Sequence, residues 1–219
     1  MTIHNLSEKN SILNHFVAEL RDISIQHDSL RFRRNLERIG EIISYEISRT
    51  LIYTPRPVQT PLGNTSARLY EDRIVLATVL RAGLPFHQGF LNYFDRAENA
   101  FISAYRQYNK DHTDFEIITG YLSSPYITGK TLLLVDPMLA SGKSLTLAYR
   151  ALVEKRGEPG TIHIASAIAS QPGIDKVCTS FPPEKTTVWT AAIDPGLNES
   201  AYIVPGLGDA GDLAYGIKE

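Results

Sequence analysis

Thr131-Leu132-Leu133-Leu134-Val135-Asp136-Pro137-Met138-Leu139-Ala140-Ser141-Gly142-Lys143-Ser144 passes from an apolar run to an acid, then to small residues, then to a helical pattern. The run 131–135 does not alternate, which suits a short strand buried on both faces. Leu145, Ala148 and Leu152 give the helix that follows an inward face. A tight loop between such a strand and helix aims backbone N–H groups at one point, and the helix N-terminus adds partial positive charge. Ser141 and Ser144 contribute hydroxyl donors and Lys143 a cation. The result reads as a phosphate cradle, with Asp136 placed to accept hydrogen bonds from sugar hydroxyls.

Two other readings use the same residues. One is a plain strand–loop–helix turn with Ser141 as the helix cap. The other is a Walker-type nucleotide loop, whose ending Gly142-Lys143-Ser144 imitates. That motif needs a glycine five residues before Gly142, and Pro137 stands there. The Walker reading is rejected, while spacing alone leaves the cradle and the plain turn open.

Around this stretch, strands and helices alternate. Apolar runs at 74–80, 101–105, 115–121, 162–168 and 186–191 have strand length, and 84–94, 144–155 and 173–179 have helical patterns. The order predicts an α/β fold with a mostly parallel sheet, and ligands in such sheets sit beyond the carboxyl ends of the strands. Before this core, Ile12, Phe16 and Leu20 predict a helix over 7–22, with Ser7 as a cap. Leu36, Ile39, Ile43 and Ile47 stripe a longer helix over 28–49. Arg33, Arg34, Glu37 and Arg38 lie largely off the stripe. The arginines fit either phosphate or RNA contact, in the latter case together with Arg31, or, as the reading we favour, a solvated face with i,i+4 pairs. From 51 to 70, Pro55, Pro57 and Pro61 exclude helix and Gly63-Asn64 supplies a turn, so this segment reads as a projecting β-hairpin.

In the tail, Gly206-Leu207-Gly208-Asp209-Ala210-Gly211 matches a G-x-G-x-x-G pattern. The dinucleotide reading of that pattern needs a βαβ unit with an acid about 20 residues on. With Glu219 as the last residue, that unit is not expected to be completed. A glycine-rich turn capped by Asp209 or Asp212 is the simpler alternative.

Composition narrows the function classes. The chain's 219 residues are enough for one sizeable core and do not require two domains. A net charge of −2 gives no large basic excess to mark nucleic acid or an anionic membrane as a partner. The lone Cys178 cannot form an intrachain disulfide and reads as a partly buried thiol in a reducing compartment. No apolar run approaches the ~18 residues of a membrane span. Met1 to Lys9 has no apolar signal core, so a cytosolic protein is expected. The six histidines show no metal spacing, and His87, His112 and His163 read as structural or solvated.

Residues 136–144 closely resemble the loop Asp-Pro-Met-Leu-Ala-Thr-Gly-Gly-Ser of uracil phosphoribosyltransferases, which binds phosphoribosyl pyrophosphate (PRPP). Ser141 and Lys143 are the two departures. Asp194-Pro195-Gly196-Leu197-Asn198-Glu199 with 202–212 resembles the uracil-binding tail of that family. Leu80-Arg81-Ala82-Gly83-Leu84 and Tyr105-Arg106 also resemble it, as do Leu20 to Ser24 and Arg31 to Arg33. The resemblance is weakest over 51–73 and 107–130. After Arg106 the family's acidic run is replaced by Gln107-Tyr108-Asn109-Lys110.

The resemblance implies a type I phosphoribosyltransferase fold over 1–219, with a β-arm at 51–70 and a C-terminal hood at 194–212. It implies that Asp136, Pro137, Met138, Leu139, Ala140, Ser141, Gly142, Lys143 and Ser144 hold PRPP together with Arg81, Arg106 and Asp209. Uracil would lie against Tyr202, Ile203, Gly208, Asp209 and Ala210, largely on backbone groups. Arg81, Arg106 and Asp209 are the expected catalytic residues. Mg²⁺ is expected as the cofactor, carried by PRPP rather than held by protein ligands, and a homodimer or higher oligomer is expected. An RNA-binding pyrimidine regulator, or an inactive relative, on the same fold is the alternative.

Overall fold

The computed structural model describes residues 1–108 and 115–217, leaving aside the side chains of 104–119. His112 and most of the segment after Arg106 lie outside the described residues.

The main sheet is built from β1 (Thr2–Asn5), β4 (Ile74–Leu80), β5 (Glu98–Tyr108), β6 (Phe115–Ser123), β7 (Thr131–Val135), β8 (Met138–Leu139), β9 (Thr161–Ser170) and β10 (Thr186–Asp194). Its order is β1-β10-β9-β7-β4-β5-β6, with β8 added beside β9. All pairings are parallel except β5 with β6. The chain leaves β4 through α3 (Gly83–Tyr93) towards β5 on one side. It leaves β7 through α4 (Lys143–Arg156) towards β9 on the other. The connections thus diverge between β4 and β7, and this switch point opens a crevice at the carboxyl ends of those two strands.

Both faces of the sheet are buried, which explains the unbroken apolar runs. Ile74, Leu76, Leu133 and Val135 enter one core with α1 (Leu13–Arg21), α2 (Ser29–Ser48) and α3. Their neighbours Val75, Ala77, Leu132 and Leu134 enter a second core with α4 and α5 (Gln171–Ser180). The period of two sorts successive side chains to opposite layers. Helices α2 and α3 cross closely because Gly40 and Gly89 meet backbone there. A β-carbon on Gly89 would lie 2.0 Å from the Glu37 carbonyl oxygen.

The predicted stripe of α2 is fully buried, and Asp28 caps the helix by accepting from the Arg31 N–H at 3.0 Å. The first helix differs from expectation. It begins at Leu13, and its buried side chains are Leu13, Val17 and Leu20, whereas Ile12 is exposed. Ser7 does not cap it. Ser7 lies in a 3₁₀ turn over Leu6–Glu8, after β1 has taken Thr2–Asn5 onto the edge of β10. The hairpin forms as expected from β2 (Tyr53–Thr60) and β3 (Gly63–Tyr70). Its turn is Pro61-Leu62, and Gly63 opens β3 instead of turning. The hairpin is rooted by edge-on aromatic contacts from Tyr53 to Tyr70 and from Tyr70 to Phe94.

Candidate active site

Residues 136–144 run along the crevice as an extension of the sheet. The Asp136 N–H donates to the Ala165 carbonyl at 3.1 Å, and the Pro137 carbonyl accepts from Ala167 and Ile168. Met138 and Leu139 then pair with Ile168 and Ala169. Strand β9 outruns β7 by several residues, and its free edge templates the loop. At Gly142 the chain turns through φ +70° into α4. A β-carbon there would be strained, and it would also press on Lys176 and the Gly173 carbonyl at about 3.0–3.1 Å. The first turn of α4 brings its backbone N–H groups and the positive end of its dipole to the carboxyl edge of the sheet.

Asp136 is partly buried, with Oδ1 accepting from the Met138 N–H at 3.2 Å. Desolvation pushes its carboxyl up to about 7, offset in part by that hydrogen bond. Among the described residues the Met138 N–H is the one donor to this carboxylate, which leaves acceptor positions open to further donors such as sugar hydroxyls.

Arg81 follows β4, adjacent to β7 in the sheet, so it stands across the crevice from Asp136. Gly83 is required beside it, since a β-carbon would lie 2.1 Å from the Thr78 hydroxyl oxygen. The Arg81 guanidinium donates to Asp212 at 2.9 Å and reaches the Gly216 carbonyl at 3.4 Å. Its Nε is buried without a partner. Arg106 lies on β5, beyond the Leu80–Ser103 pairing and on the same edge of the sheet, but its side chain lies outside the described residues.

The tail folds over the crevice in two pieces. Strands β11 (Gly196–Leu197) and β12 (Ile203–Val204) form a small hairpin, and α6 (Ala210–Tyr215) follows. Asp209 caps α6, its Oδ1 accepting from the Gly211 and Asp212 N–H groups at 2.8 and 3.0 Å. Ile203 and Ala210 are buried in the core, while Tyr202 is exposed. Gly208 adopts φ +91° and faces open space.

Several contacts that hold the tail were not foreseen. Arg21 on α1 grips Asp194 with both arms of its fork, each at 2.8 Å. It also donates to the Gly206 carbonyl at 3.0 Å, and the Gly206 N–H donates to Asp194 at 2.9 Å. The hood is thereby bolted to α1 and to the end of β10. Arg33 donates to the Ala214 carbonyl at 2.7 Å and lies over the Tyr215 ring, holding α6 from α2. The other members of that arginine group are also engaged: Arg31 with Glu19, Arg34 with Glu37, and Arg38 with Asn35 and the Phe16 ring. Two of the four are thus in ion pairs, one of them at i,i+3 within the helix, while Arg33 and Arg38 hold a carbonyl, an amide and aromatic rings instead of the expected i,i+4 pairs. Only the resemblances at Leu20 to Ser24 and Arg31 to Arg33 pointed towards these positions, since the partners of Arg21 and Arg33 lie far along the chain.

Sheet order, the loop at the switch point and the hood above it define an α/β protein of the type I phosphoribosyltransferase class. The family model for uracil phosphoribosyltransferase matches residues 7–217. The chain is 57% identical over 218 residues to the uracil phosphoribosyltransferase of Porphyromonas gingivalis, with both chains fully covered. It is 35% identical over 224 residues to that of Sulfolobus acidocaldarius, covering 99% of this chain and 100% of the other. This chain belongs to the uracil phosphoribosyltransferase family. Among solved structures, that of the AQ2163 protein from Aquifex aeolicus superposes with a TM-score of 0.85 at 28% identity, covering 99% of each chain.

Proposed function

We propose that this chain transfers the 5-phosphoribosyl group of PRPP to N1 of uracil, forming UMP and pyrophosphate. The observation that carries the reading is the meeting, at one switch point, of the 136–144 loop, Arg81 and the glycine-rich hood, in a chain of this family. The loop and the first turn of α4 hold the 5′-phosphate, and Asp136 accepts from the ribose hydroxyls. Arg81 and Arg106 meet the pyrophosphate, and Asp209 contacts PRPP or its metal. The bond from ribose C1 to the pyrophosphate oxygen breaks through an oxocarbenium-like state, and the leaving pyrophosphate keeps the electron pair. Uracil N1 attacks the opposite face of C1 and loses its proton to water. No side chain acts as a nucleophile, so the rate enhancement rests on positioning and on preorganised charge.

Backbone groups of Ile203, Gly208, Asp209 and Ala210 read the base, and Tyr202 shields its ring. Cytosine puts an amino donor where uracil has an acceptor, which would leave buried groups unpaired. Among the described residues no three His, Cys, Asp or Glu side chains converge. Magnesium fits this surroundings only as an ion that takes most of its oxygens from pyrophosphate and water, with Asp136 or Asp209 as single protein contacts. It would supply charge neutralisation on the leaving group.

The projecting hairpin, with Leu62 fully exposed at its tip, is read as a contact for a second copy, to be checked by sedimentation. No described helix is long and apolar enough to cross a membrane, and the lone thiol of Cys178 suits a reducing, cytoplasmic setting. The RNA-binding alternative is not favoured: the family model and the named relatives are uracil phosphoribosyltransferases, and Arg31, Arg33, Arg34 and Arg38 each already have a partner within the chain.

The test is pyrophosphate release from PRPP and Mg²⁺ with uracil, cytosine, orotate, hypoxanthine or no base. Release with uracil alone, matched by UMP, is expected. A folded protein that binds UMP but releases nothing with any base would overturn the reading.

A further inference from the structure

Strand β10 pairs with β9 along its whole length to Ser170, so the β8 extension must sit on the other edge of β9, the edge shared with β7. The side of this extension that faces away from β9 therefore faces β4 and Arg81. Three observations fix the peptide planes that follow. The Ser170 hydroxyl donates to the Ala140 carbonyl at 2.6 Å. The same oxygen accepts from the Gly173 N–H at 3.0 Å and so caps α5. The carbonyls of Leu139 and Ala140 both press on Gly173, where a β-carbon would lie 2.5 and 2.3 Å from them. Ser170 is fully buried, so no water competes for its hydroxyl.

A trans peptide carries its C=O and N–H on opposite sides. With the Ala140 carbonyl held on Ser170, the Ser141 N–H must point away from α5 and towards the crevice. With the Leu139 carbonyl turned to Gly173, the Ala140 N–H points the same way. Resting on the reading of 136–144 as the PRPP loop, we propose that Ser170 is a positioning residue for PRPP. Its hydroxyl pins the Ala140 carbonyl and so aims the Ser141 and Ala140 N–H groups at the 5′-phosphate. Gly173 supplies the space that lets the two carbonyls turn back. The hydroxyl never touches substrate, and its bond to the loop and its cap of α5 come from a single oxygen.

Four proteins test this: wild type, Ser170→Ala, Ser170→Thr and Asp28→Ala. Asp28→Ala removes a cap of similar kind from α2, a helix that carries no part of the 136–144 loop, and controls for simple loss of stability. Initial rates are measured with PRPP and uracil varied separately, and ribose 5-phosphate binding is measured by calorimetry. Ser170→Ala should raise the PRPP KM and the ribose 5-phosphate Kd by about tenfold, the worth of one or two misaimed hydrogen bonds to a charged group. The uracil KM should stay within about twofold, and Ser170→Thr, which keeps the hydroxyl, should restore both values. Asp28→Ala should lower the denaturation midpoint and leave the PRPP KM unchanged. If Ser170→Ala does not fold, Ser170→Cys takes its place, with a weaker donor of similar size and a smaller rise expected. An unchanged PRPP KM, or PRPP and uracil KM values rising together, overturns the positioning role. Wild type that binds ribose 5-phosphate without turning over uracil would sink the proposed reaction while the binding series still decides the role of Ser170. Wild type that binds no ribose 5-phosphate sinks both.

Discussion

Replacing Arg21 with methionine isolates the bolt that holds the hood. Three donors meet the Asp194 carboxylate: two from the Arg21 fork at 2.8 Å and the Gly206 N–H at 2.9 Å. The Asp194 side chain is 7% exposed and that of Arg21 is 23% exposed. Methionine fills most of the arginine volume but leaves a buried carboxylate with one donor. Removing one partner of a buried pair costs about 3–5 kcal/mol. Because Arg21 is partly open to water, the lower end applies, about 3 kcal/mol. For a chain of this length each kcal/mol moves the melting midpoint by about 2–4 °C, so a fall of roughly 6–12 °C is expected.

The function should suffer selectively. Arg21 also holds the Gly206 carbonyl, and Gly206 lies between Ile203 and Gly208, both proposed to read the base. The uracil KM should therefore rise while the PRPP KM holds. A double-mutant cycle with Asp194→Asn separates the pair from side effects of each change. Urea denaturation gives the stabilities and initial rates give the two KM values. A loss below about 1 kcal/mol, in the range of exposed pairs, together with an unchanged uracil KM, would refute the claim that this contact bolts the hood.

Further outcomes follow from other sites. Burial lowers the His163 pKa from 6.5 to about 4, with Asp72 opposing the shift and His4 adding to it. Between those values the unfolded chain takes a proton that the native state refuses, so this term costs the fold about 3 kcal/mol as pH falls from 6.5 through 4. Urea midpoints across that window should show the loss, and His163→Gln should flatten it. The Asp136 carboxyl, raised to about 7, keeps its proton below that pH. If it accepts from ribose, the PRPP KM should climb as pH falls through 7 in wild type and stay level in Asp136→Asn. Asp209→Asn keeps an acceptor for the α6 cap, so the melting midpoint should hold while turnover drops strongly; wild-type turnover would remove Asp209 from the site. Gly89→Ala drives a methyl into the Glu37 carbonyl and should destabilise the α2–α3 crossing by about 1–3 kcal/mol or more in urea titrations.

What the sequence disclosed follows the range of the forces involved. The 131–144 stretch was legible because strand, loop and helix signals all lie within a few residues of one another. The α2 stripe and the hairpin were legible for the same reason. The start of α1 was not, because Ile12-Phe16-Leu20 and Leu13-Val17-Leu20 both satisfy a helical period. The choice fell to β1, whose place on β10 depends on partners at 187–190. Ser170-Gln171-Pro172 did carry a readable cap and an early proline, the signal that could have started α5 two residues sooner. That the same hydroxyl reaches Ala140 is a contact across 30 residues, and no local pattern reports it.

Arg81 shows why residue type alone left the site open. The sequence allowed a pyrophosphate contact or an ion pair, and the structure holds it on Asp212, with the two side chains 37% and 30% exposed. A pair so open to water is worth about 0–1 kcal/mol. A pyrophosphate group with several charges in the crevice would outbid it, and the two readings then describe one arginine before and after substrate arrives. Asp212 belongs to the helix that Asp209 caps, so if Arg81 meets pyrophosphate as proposed, drawing it away would release a tie on the segment that carries Gly208 and Asp209, the proposed base readers. On that proposal, the ion pair that looked like the dull alternative would be the physical link between the two halves of the site.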